Sequence, residues 1–151
     1  MKFPLVCAAL AVALAAPAAH ADVPAGYVKT LAGSVTLTEG NTTGPVKLGT
    51  PVSATSVLRT GGDGTVGVAL RDDTLLSLGP NTEFSFREYA FAPESGKLSL
   101  VARITRGTLN YVSGVIAKLK PDAVSVETPS GLLGVRGTHF VVKVEEGEVA
   151  K

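Results

Sequence analysis

Short runs in which every second residue is apolar recur along most of this chain, and they limit the folds that it can adopt. Alternate side chains of a strand point to opposite faces, so each run predicts a strand with one buried face. No segment after residue 21 shows the period of a helix. The runs are carried by Val35 and Leu37; Val66, Val68 and Leu70; Leu76 and Leu78; Phe84 and Phe86; Leu98 and Leu100; Val124 and Val126; Phe140, Val142 and Val144. The chain is therefore predicted to be all-β.

Turn-forming residues divide these runs at short intervals. All 17 glycines fall after residue 21, and clusters of Gly, Pro, Asn and Asp predict turns at residues 61–64, 71–73, 79–81 and 93–96. An element of glycine, polar residue and apolar residue also recurs at uneven spacing, as in the rungs of an irregular solenoid. We expect a single domain of short, mainly antiparallel strands over residues 22–151, with an irregular twisted β-solenoid-like or sandwich architecture.

The first 21 residues have the pattern of a cleaved secretory signal. Lys2 precedes an apolar run that ends in Ala19-His20-Ala21, the small-x-small pattern that signal peptidase recognises. A transmembrane anchor is the alternative, but the run is shorter than the ~20 residues that cross a bilayer, and Pro17 breaks its end. We expect a signal peptide over residues 1–21, cleavage after Ala21, and a periplasmic product with no membrane span.

Cysteine content and charge exclude several classes of function. Cys7 is the only cysteine and lies within the predicted signal, so the product has no residue for a disulfide or a thiolate metal site. Loss of Lys2 lowers the number of Lys and Arg residues from 14 to 13, which equals the 13 acidic residues. A neutral, exported chain lacks the basic character of a nucleic-acid binder. We expect no nucleic-acid partner.

Three closely spaced glycines, Gly131, Gly134 and Gly137, raise the question of a phosphate-binding loop. Dinucleotide-binding folds use Gly-x-Gly-x-x-Gly before a helix, and phosphate loops of the Walker type end in Gly-Lys-Ser/Thr before a helix. Here the spacing differs, and the alternation that begins at Phe140 predicts a strand instead. We interpret the cluster as a corner between strands, where glycines adopt a positive φ or let two backbones approach closely.

Motifs in the same segment resemble the signature of the FecR protein domain. Residues 128–131 and 134–142 match its ending, TP-x-G followed by G-x-R-G-T-x-F-x-V. Stretches upstream resemble the middle of the family pattern: Gly49-Thr50-Pro51-Val52, Val57-Leu58-Arg59-Thr60-Gly61, Val66-Gly67-Val68-Ala69-Leu70 and Asp73-Thr74-Leu75-Leu76-Ser77-Leu78-Gly79-Pro80. Because several motifs agree in order, the resemblance covers roughly residues 27 to 144.

The resemblance implies an extracytoplasmic all-β domain, similar to a twisted β-solenoid, that works through protein contacts instead of catalysis. Its members that regulate iron uptake span the inner membrane, receive a signal from an outer-membrane receptor and control a cytoplasmic sigma factor. We predict neither a cytoplasmic segment nor a spanning helix here, so we do not expect direct sigma-factor control. Family members usually add a strand pair after the motif; we expect the last residues, to Lys151, to be a compressed version, or the chain to be a fragment.

Few residues offer catalytic or metal-binding chemistry. His139 is the only histidine after the signal and alternates with Phe140, so we expect it on the opposite, partly exposed face. Asp72 and Asp73 occupy a predicted tight turn, where we expect both carboxylates to stay solvated, without the apolar surroundings of a general acid. Residues 61–64 resemble one calcium-binding repeat, an architecture that needs successive copies. We predict no catalytic residue, no metal site and no cofactor.

One stretch of the chain has an unbalanced charge. No acidic residue lies between Glu94 and Asp122, whereas five basic residues do: Lys97, Arg103, Arg106, Lys118 and Lys120. Gathered on one sheet face, they would form a basic patch for an acidic protein or an anionic envelope polymer. Pointing outward singly, they would only be solvated, and we favour this second interpretation.

The motif residues Gly134, Arg136, Gly137 and Thr138 are interpreted as structural. The planar fork of an arginine can tie together the carbonyls of adjoining turns, and this is the role that we expect for Arg136. The alternative is that Arg136 is an exposed contact for a partner.

Two classes of binding function follow. We expect a non-enzymatic domain that acts in signal sensing or scaffolding through contacts with another envelope protein. The alternative is a domain that binds a cell-envelope glycan or another ligand. Sugar sites usually present aromatic platforms, and the chain has no Trp. A glycan site would therefore need at least two of Tyr27, Tyr89 and Tyr111 exposed side by side.

Overall fold

Twelve strands build the part of the chain that the computed structural model describes, residues 23–145. They are β1 (Gly26–Ala32), β2 (Val35–Glu39), β3 (Thr42–Pro45), β4 (Pro51–Val52), β5 (Val57–Thr60), β6 (Thr65–Leu70), β7 (Leu75–Leu78), β8 (Glu83–Ala92), β9 (Lys97–Val112), β10 (Val124–Thr128), β11 (Gly131–Gly134) and β12 (His139–Val144). All four predicted turns are present between them. The predicted signal lies outside the described residues.

The strands form one curled, mainly antiparallel sheet, a half-barrel, in the order β3-β2-β5-β8-β9-β7-β6-β1-β4. β10 and β12 also pair with β9, and β11 pairs with β10. The prediction of an all-β single domain is confirmed. The pair of β9 and β10 is parallel, and the other strand pairs of the described chain are antiparallel.

β9 has 16 residues and belongs to both halves of the sheet. Its first part, residues 97–106, pairs with β8, and within that part residues 100–103 also pair with β10. Its last part, residues 107–112, pairs with β12 on one side, and residues 109–112 pair with β7 on the other. The neighbours of β9 therefore change at Gly107, which makes this residue the junction between the two halves.

Gly107 has a backbone conformation that residues with a side chain rarely adopt. Its φ is +95°, and a Cβ atom placed on it would lie 2.1 Å from Oγ1 and 2.4 Å from Cα of Thr82. Thr82 is fully buried in the connection between β7 and β8. Its hydroxyl accepts a hydrogen bond from the Thr108 N–H at 3.0 Å and donates one to the Gly79 carbonyl at 2.8 Å. Thr82 thus fills the space that a side chain at residue 107 would need.

Thr60 connects the end of β5 to the same junction. Its hydroxyl donates to the Gly79 carbonyl at 2.7 Å and accepts from the Thr82 N–H at 2.8 Å. Its own N–H donates to the Thr82 carbonyl at 2.9 Å. Buried polar groups need hydrogen-bond partners, and these groups satisfy one another. Two threonines therefore hold together β5, the turn between β7 and β8, and the bend of β9.

The core consists of the alternating apolar residues that the sequence predicts, together with side chains outside those runs, such as Tyr111 and Ile116. Four predicted members are only partly buried and pack against it: Leu37, Leu98, Phe140 and Val144. The other predicted members are buried: Val35, Val66, Val68, Leu70, Leu76, Leu78, Phe84, Phe86, Leu100, Val124, Val126 and Val142. The curled sheet encloses one apolar cluster.

One short helix, α1 (Val115–Leu119), contradicts the expectation of no helix after the signal. It lies in the crossover between β9 and β10, because parallel strands cannot be joined by a tight turn. Five residues are too few to show a helical period in the sequence, yet Ile116 of α1 is fully buried. Two 3₁₀ turns, Pro93–Ser95 and Pro121–Ala123, are the other helical segments between residues 23 and 145. None of these helices has the length and hydropathy to cross a membrane.

We predict that Gly107→Ala strongly destabilises the fold. The new methyl group would strain a left-handed backbone and overlap the backbone of Thr82, so we expect a loss of roughly 2–5 kcal/mol in the free energy of unfolding. Gly96→Ala is the matched control, because Gly96 also has a positive φ (+69°) but its Cβ would meet nothing within 4 Å. We expect it to cost about 1 kcal/mol. Urea denaturation of both variants measures the difference, and equal losses would contradict the role of the junction.

Candidate functional site

The glycine-rich segment near the carboxy end forms two successive corners between strands. β10 and β11 make a hairpin in which Thr128 pairs with Gly131, and the Thr128 hydroxyl donates to the Gly131 carbonyl at 3.0 Å. After β11 the chain bends through residues 135–138 and continues as β12. A strand follows, and no helix lies in this segment, which confirms the prediction of a corner.

Ser113 fixes the second corner to the end of β9. Its N–H donates to the Thr138 carbonyl at 2.8 Å, and its hydroxyl donates to the Gly137 carbonyl at 2.7 Å. At the start of the bend, Val135 is buried, whereas Arg136, Gly137 and Thr138 are exposed. The bend is therefore held at both ends and presents its middle to solvent.

Two of the three clustered glycines have the backbone that the sequence predicts. Gly131 has a φ of +148° and Gly137 a φ of +117°. Gly134 differs, because its φ is not positive and a Cβ atom on it would meet nothing within 4 Å. The expectation for Gly134 is therefore wrong: it is a regular residue of β11, paired with Ser125, and the fold itself has room for a side chain there.

Arg136 does not bridge carbonyls. Its side chain is exposed and makes no hydrogen bond or ion pair with any residue from 23 to 145. The structure thus lacks the contacts of the structural role that the sequence suggests first. The geometry favours the alternative, an exposed contact residue.

Two adjoining depressions lie beside Arg136. One encloses about 400 Å³ and reaches toward α1 at Ala117, and the other encloses about 510 Å³ and extends along β11. Both are lined by Pro121, Asp122, Val135 and Arg136. We call the combined depression, between the crossover and β11, the β11 groove.

Two of the five basic residues lie opposite acidic residues. Nε of Arg103 is 3.8 Å from one carboxylate oxygen of Glu127, and Nε of Arg87 is 3.0 Å from the other oxygen. Arg106 lies in register with Glu83 of β8. Arg103 therefore shares one carboxylate with Arg87, and Arg106 lies opposite a glutamate that also forms an ion pair with Arg59.

The three lysines are spread along the chain. Lys97 begins β9, whereas Lys118 belongs to α1 and Lys120 follows it. Lys118 follows Ala117 and Lys120 precedes Pro121, and both of these neighbours line the β11 groove. Lys118 and Lys120 thus lie in the crossover beside the β11 groove, whereas Lys97 belongs to another element.

Asp72 is buried, so the expectation that both aspartates of the turn stay solvated is wrong for this residue. Its side chain is 1% exposed and accepts hydrogen bonds from the Tyr89 hydroxyl at 3.1 Å, the Thr74 hydroxyl at 2.7 Å and the Ile116 N–H at 3.3 Å. Asp73 is exposed, as predicted. The local sequence does not reveal the burial because two of the partners come from β8 and α1. Because its partners are donors from the turn, β8 and α1, Asp72 has the geometry of a structural carboxylate.

Two tyrosines lie near this carboxylate: Tyr89, which is partly buried, and Tyr111, which is fully buried. Burial raises the pKa of Tyr89, and the negative charge of Asp72 acts in the same direction. Burial also raises the pKa of Tyr111, an effect that the nearby hydroxyls of Thr74 and Ser113 only partly offset. The Tyr111 hydroxyl makes no hydrogen bond of normal geometry within the described chain. Both phenols are therefore held in the neutral form.

The aromatic platform required by the glycan alternative is absent from residues 23–145. Tyr27 is 43% exposed, but Tyr111 is fully buried and stacks on Phe140 with 4.6 Å between ring centroids. Tyr89 is partly buried against Asp72. Two exposed tyrosines do not lie side by side, and the glycan alternative has no further support.

The remaining candidates for chemistry have structural partners. His139 is exposed on β12, as predicted, and its Nε2 lies 2.5 Å from Oδ1 of Asn110. In the calcium-like turn, Oδ1 of Asp63 accepts a hydrogen bond from the Ser34 N–H at 3.3 Å. No group of three or more His, Cys, Asp and Glu side chains is placed to hold a metal ion among the residues with described positions.

Comparison with known proteins identifies one family. A family model described as FecR protein matches residues 56–150. It therefore includes β5 through β12, with the bend of β9 and both glycine corners. Searches of curated proteins and of solved structures found no match.

We predict that Asp72→Asn destabilises the protein. The variant replaces an acceptor oxygen by a donor facing other donors, so we expect a loss of roughly 1.5–3 kcal/mol in the free energy of unfolding. Asp73→Asn is the matched control, since this exposed residue has a φ of +66°, which asparagine tolerates, and we expect a change within about 0.5 kcal/mol. Thermal and urea denaturation measure both. Equal stability of the two variants would show that the buried carboxylate is dispensable.

We also predict a loss of stability at alkaline pH. A free tyrosine ionises near pH 10, so above this pH the unfolded chain loses protons that folded Tyr89 and Tyr111 retain. The stability due to their raised pKa is complete below pH 10 and falls as the pH rises above it, by up to about 1.4 kcal/mol per pH unit for each tyrosine.

Urea denaturation at several pH values measures this alkaline slope. Tyr111→Phe removes one ionisable hydroxyl that lacks a hydrogen bond of normal geometry, so we expect it to make the slope shallower without destabilising the protein at neutral pH. An identical slope in the variant and the parent would contradict the assignment to Tyr111.

Proposed function

Because this chain belongs to the FecR protein family, a signalling and regulatory family that is not typically enzymatic, we propose that it is a sensing or scaffolding domain that binds another protein of the cell envelope. The predicted signal at residues 1–21 supports a location outside the cytoplasm. The proposal includes no catalytic step, since the one buried carboxylate described above, Asp72, is occupied by donors from the fold.

The observation that carries this proposal is that the fold explains some residues of the family motif and leaves others without a structural role. Gly131 and Gly137 have positive φ values, and Phe140 and Val142 pack against the core, so the fold explains all four. Arg136 makes no polar contact with the rest of residues 23–145. Arg136 is exposed at the middle of a bend that is held at both ends, and this position favours direct contact with a partner protein.

Gly134 is a second motif residue that the described fold does not explain, in this case because of its backbone. The space around it is open and its φ is ordinary, so neither its conformation nor its packing against residues 23–145 requires a glycine. A glycine in an exposed strand lets the backbone of another molecule approach closely. Arg136 and Gly134 both line the β11 groove, which we propose as the contact surface.

A photocrosslinking experiment tests this function. The full-length gene, with a photoreactive phenylalanine analogue in place of Arg136, is expressed in native cells, which are illuminated and fractionated. We expect a covalent product with an envelope protein, because the exposed residue at this position would touch the partner. The matched control carries the analogue at Lys97, an exposed residue at the start of β9, outside the groove lining.

Three outcomes would overturn the proposal. The first is a product yield from residue 136 no greater than that from residue 97. The second is a product in which the bound material is glycan and contains no second protein. The third is recovery of the full-length chain in the cytoplasmic fraction, with the first 21 residues still attached.

A further inference from the structure

Four strands of the described chain, β3, β4, β11 and β12, pair on one side only. Free edges of this kind invite pairing with other chains, and proteins block them with proline, with charge or by shortening the strand. β3 ends in Pro45, and β4 has only two residues, of which one is Pro51. β12 carries Lys143, whose side chain is 69% exposed. Three of the four edges are therefore protected.

β11 has neither proline nor charge, and it is twice as long as β4. Its sequence is Gly-Leu-Leu-Gly, without charge or proline, and all four residues are exposed. Leu132 is 66% exposed and Leu133 46%, although both are large apolar residues. The two glycines leave open space around the backbone, since a Cβ on either would meet nothing within 4 Å. Such an edge has the properties of a template for an added strand.

The charge around this edge indicates which kind of strand would bind. Arg136 lines the β11 groove, and Lys118 and Lys120 lie in the adjoining crossover. None of the three makes an ion pair with a described residue. Among acidic groups, Asp122 lines the same groove, and Glu127, which pairs with Leu132 across the hairpin, already contacts Arg87 and Arg103. The local charge is therefore positive.

This charge separates two occupants of the edge. A second copy of the chain would bring two equal sets of positive charges together, which is unfavourable. A strand rich in carboxylates would be attracted to the same surface and would be oriented by it.

We propose that the partner contributes an extended acidic segment, which adds as a strand to the free edge of β11. Its main chain would hydrogen-bond with the outward N–H and C=O groups of residues 131–134, and its carboxylates would face Arg136, Lys118 and Lys120. The inference rests on the proposed function, because it describes how the partner protein would bind.

The experiment uses synthetic strand-forming peptides of twelve residues as probes, titrated against the protein produced from the full-length gene. One peptide alternates valine and glutamate, and two controls carry glutamine or lysine in place of glutamate. Fluorescence anisotropy measures the dissociation constants. We expect the glutamate peptide to bind about tenfold more tightly than the glutamine peptide, and the lysine peptide to bind least.

Two further measurements locate the binding site. Arg136→Gln should weaken binding of the glutamate peptide about threefold to fivefold, whereas Lys97→Gln, which removes the same charge from the start of β9, should leave it unchanged. Since both side chains are exposed, both variants are expected to fold, and circular dichroism checks this. Hydrogen exchange should show that peptide binding protects amides of residues 131–134 and leaves those of β12 unaffected.

The proposal is overturned if the glutamate and glutamine peptides bind equally, if Lys97→Gln weakens binding as much as Arg136→Gln, or if protection appears away from β11. Sedimentation without peptide adds one more test, because a dimer protected at residues 131–134 would make a second copy the occupant. If the peptides fail but crosslinking from residue 136 still captures an envelope protein, strand addition is wrong and the proposed function stands. If peptides bind and crosslinking fails, the proposed function is the part that is wrong.

Discussion

The close approach of Gly107 and Thr82 is the constraint on which the rest of the fold depends. β9 must serve two halves of the sheet, and it can do so only if its backbone turns through a positive φ beside a buried threonine. The hydroxyls of Thr82 and Thr60 then satisfy the backbone groups that the bend leaves without ladder partners. Because a low-dielectric interior makes unpaired polar groups costly, this small network is coupled to the alignment of three strands. The curvature of the half-barrel and the single core beneath it follow from this arrangement.

The sequence predicts the class of the fold well, because period-two alternation is a local signal that does not need distant partners. All of the predicted apolar positions pack in or against the core, and the glycine cluster forms corners, as its failure to precede a helix indicated. Alternation does not reveal how strands are ordered. The role of Gly107, the parallel pairing of β10 and the one-turn helix α1 depend on contacts between residues far apart in the chain, so they became visible only in three dimensions.

In the candidate site, too, the sequence predicts local features and misses those that depend on distant residues. The positive φ values of Gly131 and Gly137 follow from local backbone requirements and were predicted, whereas Asp72 looked like an ordinary turn residue until β8 and α1 supplied its donors. Arg136 illustrates the opposite error, because a motif residue was expected to support the fold and lies instead in solvent. The surroundings of each side chain in three dimensions distinguish the structural residue Asp72 from the exposed residue Arg136. A motif residue that makes no polar contact with residues 23–145 is a candidate for contact with another molecule.

The crossover between β9 and β10 has a consequence for the order in which the protein folds. Strands β1 to β9 include several antiparallel neighbours joined by short turns, which form early because little chain entropy is lost in closing them. β10 reaches β9 only after the intervening residues have crossed the sheet, and β11 attaches through β10 alone. The β10–β11 hairpin itself closes through a two-residue turn, so its docking on β9 is the non-local step. Under the function proposed above, a partner that pairs with β11 would therefore bind only chains in which the β9–β10 pair has already formed.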